Sequence, residues 1–191
     1  GFNYALPSVE AHMGLNGFHT QKLVWGVGSP IYEEDGTVSK PMPVRGKPRM
    51  DLGKWVGPDG NGVAASFLEG NYTYNFNNDN DERPVGQREE YLRAIEHNEK
   101  YTGHAVRSMY YGTGDYGGSC RESSARMVSE AVEANGNPDS MYEVVSASTD
   151  QIFNELTAEQ RDALPVYDGE LLIPHGSGAL TSHTISKRWN R

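Results

Sequence analysis

One stretch frames a single acid almost entirely with glycine and tyrosine: Tyr110-Tyr111-Gly112-Thr113-Gly114-Asp115-Tyr116-Gly117-Gly118. Two chemistries fit it. Written as G-x-G-x-x-G between an apolar run and a helical run, it has the outline of a turn that holds a diphosphate against main-chain N–H groups at a helix N-terminus. Written as one carboxylate among residues without bulk, it is a loop that shows an acid to a large ligand. Against the first, Asp115 itself opposes a diphosphate. The acidic residue expected about 20 positions further on has no candidate at a strand end, and no G-x-x-x-x-G-K-[ST] is present. A third reading is purely local, with Asp115 as a turn or helix-capping residue. Spacing alone leaves the exposed acid and the local turn open.

Other reactive types are sparse. The one cysteine, Cys120, can form no internal disulfide and has no histidine near it in sequence. His97 and His104 are seven apart, ~10 Å along a helix axis, too far to share an ion. The polar run at 77–82 matches a calcium loop at Asn77, Asp79 and Asp81 but lacks its later Gly and Glu. Trp25, Trp55, Tyr72 and Tyr74 could stack on sugar rings without any chemistry, which keeps a carbohydrate-binding module as an alternative.

The elements that must position these residues follow from periodicity and punctuation. Residues 6–17 predict a short helix, 18–25 a strand by alternation, and 26–48 a long loop. A hairpin turns at Pro58-Asp59-Gly60. Residues 85–103 predict a helix with Tyr91, Leu92 and Ile95 as its apolar stripe and Gly103 as its end. A strand at 104–112 feeds the glycine loop. A helix follows at 121–136, with Ala125, Val128, Ala131 and Val132 on one face. Then come a strand at 141–148, a helix from 148 capped by Ser148 or Thr149, a strand at 164–174, and a helix start at 181–191. The helix–strand rhythm from residue 88 onward implies parallel strands with crossover helices, an α/β fold.

The 191 residues can bury one core, and the formal charge of −9 argues against nucleic acid as a partner. No apolar run approaches the ~20 residues of a membrane span. The opening residues lack the basic start and apolar stretch of a secretory signal.

Three separated blocks share one resemblance. Residues 1–25, "GFNYALPSVEAHMGLNGFHTQKLVW", resemble the segment after the nucleophile in glycoside hydrolase family 38 α-mannosidases. Residues 110–128 resemble that family's glycine-rich loop and its helix, and residues 164–191 its Leu-Pro, Gly-Glu-Leu and Thr-Ser segment. The blocks come in family order. The resemblance implies a retaining, zinc-dependent exo-α-mannosidase acting on α-mannoside glycans. It implies that residues 1–191 form a middle to C-terminal portion of an irregular β/α-barrel-like catalytic domain. In that family the nucleophile lies in Asp-x-Phe-Gly. Gly1 matches that Gly, so the nucleophile would lie three positions before it. The zinc-holding residues would also lie outside 1–191, on remaining parts of the same enzyme, and the isolated segment would be inactive. Carried over by position, Asp115 becomes the candidate general acid/base. Lys22 becomes a basic residue near the nucleophile and sugar, and Tyr74 and Tyr116 become substrate contacts. The loop departs from the family by reading Gly-Asp-Tyr-Gly-Gly-Ser-Cys, and Leu180 replaces a common tyrosine.

Overall fold

The computed structural model describes residues 2–23, 31–32, 38–39, 50–67, 83–112, 117–171 and 188–189. A mixed sheet runs in the order β1 (Gly17–His19), β5 (Gly62–Ser66), β4 (Leu52–Val56), β6 (Val166–Asp168). β1 pairs parallel with β5 and β6 parallel with β4, while β4 and β5 form the expected antiparallel hairpin. Two of its three pairings are therefore parallel, and helices pack beside it: the fold is α/β. A second, two-stranded ladder pairs β2 (Ile31–Tyr32) with β3 (Val38–Ser39), inside the stretch expected to be loop throughout.

Both faces of the sheet are covered. Trp55, Ala65 and Phe67 point to one side, where Leu23, Leu171, Phe2 and Phe18 join them. Leu52 and Ala64 point to the other and meet Ile152, Phe153, Leu156 and Leu164. This is the packing that short, apolar, small-residue strands require when neither face meets water. Phe2 and Leu171 exchange two main-chain hydrogen bonds, at 2.8 and 3.1 Å, which joins the start of the described chain to the segment just after β6.

α1 (Leu6–His12) starts with Pro7 in its first turn and lies on the hairpin. The Asp59 carboxylate in the hairpin turn accepts hydrogen bonds from Ser8 Oγ, from Asn61 and from His12 Nε2. α2 (Glu89–Thr102) ends as expected at Gly103, in the left-handed conformation at φ 69°. Its buried face differs from the expected stripe. Leu92 and Ile95 are only half-buried, and the face runs on from Tyr91 and Ala94 through His97, Asn98 and Thr102. α3 (Glu122–Glu133) buries Ser124, Val128 and Ala131 and leaves Val132 at the surface.

Three expectations are corrected. The strand predicted over 18–25 stops at His19 and turns through residues 21–23. Residues 104–111 and 143–148 are in no ladder, although a strand is expected in each. Side chains take the places a neighbouring strand would fill: Asn98 Nδ2 donates to the Val106 carbonyl at 2.8 Å, and Asn135 bonds both main-chain groups of Val144. Neither Ser148 nor Thr149 caps α4 (Gln151–Asn154). Ser148 Oγ instead donates to the carboxylate of Asp150, the residue that precedes the helix. One helix was not expected. α5 (Ala158–Ala163) is closed by a reciprocal capping box in which Thr157 and Gln160 bond each other's main chain. Of 181–191, Arg188 and Trp189 are helical and the rest lies outside the described residues.

Candidate active site

The two ladder-free segments line one cleft of about 580 Å3. Tyr110 and Tyr111 come from the first segment, Glu143 and Ser146 from the second, and His19 from the end of β1. The His19 and Tyr110 rings meet edge to face with centroids 5.9 Å apart. The carboxyl end of β1 therefore touches the segment that leads into the glycine loop. In sheets with parallel strands, ligands gather at such strand ends.

Asp115, Tyr116 and Tyr74 lie outside the described residues, as do Trp25, Tyr72, the polar run at 77–82 and His175 and His183. The frame of the loop is described on both sides. The chain passes into it through Gly112 at φ 148° and leaves through Gly117 at φ 63°, both backbone states that residues with a Cβ rarely adopt. Lys22 lies in the turn after β1, half-buried between Gln21 and the fully buried Leu23, with its main-chain N–H donated to Thr20 Oγ1 at 3.1 Å.

Three residues near the cleft escaped sequence reasoning. Asp51, next to the start of β4, accepts from Arg107 at 2.8 Å and from Asn98 Nδ2 at 3.2 Å. The Asp51 and Arg107 side chains are 4% and 11% exposed, so this pair is largely buried. Residue type alone could not have found it, because Asp51 lies 47 and 56 positions from Asn98 and Arg107 and each reads as surface polar.

Burial lowers the pKa of the two nearby histidines. Burial pushes His104 down from its ordinary value, against the opposing pull of Glu155 and a hydrogen bond given to the Ile152 carbonyl. Burial also lowers His97, helped by Lys100 and Arg107 and opposed by Asp51. Among the described residues no group of three or more His, Cys, Asp or Glu side chains could hold a metal ion. These residues do not fit a zinc site. Also among them, no helix is long and apolar enough to cross a membrane.

Trp55 cannot serve as a sugar platform. It is fully buried, with its indole N–H donated to the Gly169 carbonyl at 2.8 Å. The nucleotide reading loses its context as well, since no strand precedes the glycine run.

The family model for the glycosyl hydrolases family 38 N-terminal domain matches residues 1–170. The chain belongs to glycosyl hydrolase family 38. A human relative, "Alpha-mannosidase 2C1", is 26% identical over 192 aligned residues. That match covers 100% of this chain and 15% of the relative, so the chain spans about a seventh of the relative's length. The glycine loop and the turn carrying Lys22 both fall inside the family 38 match.

Proposed function

We propose that this chain forms the acid/base part of a retaining α-mannosidase site, with Asp115 as the proton donor. Family membership supports the reaction class. The observation that carries the assignment of roles is the contact of Tyr110 with His19. It brings the strand end preceding Lys22 against the segment preceding Asp115.

Retaining hydrolysis needs two carboxyl groups roughly 5 Å apart across the glycosidic bond. In this reading Asp115 gives its proton to the departing oxygen as the nucleophile bonds to the anomeric carbon. Asp115 then takes a proton from the water that releases the sugar. A donor of this kind must hold its proton near neutral pH, which flat rings that exclude water promote. Tyr110 and Tyr111 line the adjoining cleft, and Tyr116 follows the acid directly. Lys22 steadies the nucleophile and sugar, and Tyr74 and Tyr116 contact the substrate. The nucleophile and the zinc of the resemblance belong to residues outside this chain, and no step here runs through the metal. Residues 1–191 are then one portion of a barrel-like catalytic domain completed by other parts of the same enzyme. A neutral glycan suits a chain of charge −9.

The test is Asp115→Asn in the whole enzyme. Mannosides with poor leaving groups should lose ~10²–10⁴-fold in kcat/KM, which reports the step that expels the leaving group, and activated aryl mannosides far less. Equal loss on both would overturn the acid role.

A further inference from the structure

The segment that leads into the glycine loop has strand-like sequence but no strand neighbour. Its place is set instead by a buried polar node. Arg107 donates to Asp51 Oδ2 at 2.8 Å. One residue earlier, the Val106 carbonyl accepts from Asn98 Nδ2, and the same amide reaches Asp51. Thr102 Oγ1 completes the node, donating to the Asn98 carbonyl at 2.6 Å and accepting the His104 N–H at 3.2 Å. The node thus binds three pieces together: the start of β4, the last turns of α2, and residues 104–107. A largely buried ion pair is a weak source of net stability, because desolvation offsets the attraction. Its geometry is nonetheless demanding, so it suits fixing a register.

We propose that Arg107 is a positioning residue for the glycine loop. Anchored on Asp51, it sets where residues 104–112 lie and hence where the chain enters the loop that carries Asp115. This rests on the acid/base reading of Asp115 given above. Arg107 is not assigned any contact with substrate. Its effect passes through the chain, and a shift of ~1 Å at a reacting group can cost on the order of 10²-fold in rate.

Removing Arg107 alone would strand a buried carboxylate, so the test uses the apolar pair Asp51→Leu/Arg107→Met in the whole enzyme. Two readouts are taken on the folded variant. Amide exchange over residues 105–112 should speed up by about tenfold or more, while exchange within β4 and β5 stays as in wild type. The kcat/KM for a poor-leaving-group mannoside should fall ~10–100-fold, and that for an activated aryl mannoside less. Wild-type exchange over 105–112 would overturn the proposal, as would a wild-type ratio of the two kcat/KM values if Asp115→Asn has shown leaving-group dependence. Faster exchange alongside an Asp115→Asn variant that lacks such dependence would mean that the node holds the segment and the acid/base reading is what fails. If the apolar pair does not fold, Arg107→Lys keeps the charge without the planar fork, and the same two readouts decide.

Discussion

Asn135 holds the main chain of Val144 from both sides. Its amide nitrogen donates to the Val144 carbonyl at 2.9 Å and its amide oxygen accepts the Val144 N–H at 2.9 Å. One side chain does what a strand neighbour does elsewhere, and it fastens the cleft-lining segment at 143–148 to the turn after α3. Asn135→Ala should therefore lose about 1–3 kcal/mol, the worth of two part-buried hydrogen bonds. Asn135→Asp, which keeps the acceptor and loses the donor, should fall between the two. Urea unfolding of the three proteins checks the order, and equal midpoints would show that the grip contributes nothing.

Glu10 gives a pH dependence of opposite sense to most carboxylates. Burial pushes it from an ordinary value of 4.5 up to about 7, and its Oε2 is buried without a hydrogen-bond partner. The folded chain thus holds the proton more tightly than the unfolded one. Between pH 4.5 and about 7 the cost of the charge grows, and above pH 7 it is complete. Glu10→Gln should then stabilise the protein at pH 8 by on the order of 1–3 kcal/mol and lose that advantage by pH 4. Thermal melting at the two pH values measures it; a constant difference would contradict the buried charge.

Asp59 runs the other way. Its hydrogen bond from Ser8, then those from Asn61 and His12, hold the carboxyl well below its ordinary value of 3.8. The stability it lends is present above that ordinary value and drains away as pH falls through the lowered one. Asp59→Ala should unfold at lower urea than wild type at pH 7, and the two should converge in strong acid. The same gap at every pH would mean that packing, not the charge, ties α1 to the hairpin.

Lys22→Met tests the turn after β1. If its ammonium steadies a charged partner across the site, kcat/KM on an aryl α-mannoside in the whole enzyme should drop ~10–100-fold, as for a lost hydrogen bond to a charged group. Unchanged kcat/KM would remove Lys22 from the site.

The elements with a strong period or firm punctuation were legible in the sequence. α2 and α3 follow from helical spacing, and Gly103 and the Pro58-Asp59-Gly60 turn end or reverse the chain as such residues must. The segments at 104–111 and 143–148 were misread for a definite reason. Apolar, β-branched and aromatic residues suit an extended chain, and they do so whether its neighbour is a strand or the side chains of Asn98 and Asn135. α5 has a local signal, Thr157 with Gln160 three residues on, but its six residues are too short to show a helical period. Within the candidate site, Asp115 was singled out by its glycine surroundings and given a role only by resemblance. Asp51 and Arg107 were invisible because long-range pairing leaves no local pattern.

The mutual bonding of Phe2 and Leu171 has a bearing on how this unit comes into being. β6, too, finds its partner β4 across more than half the chain. During synthesis the hairpin can form early, but the sheet stays open at one edge until the last of these residues leaves the ribosome. Closures over such long separations are slow. Until then the nascent chain carries an unpaired strand edge, which is a natural point for a chaperone to intervene.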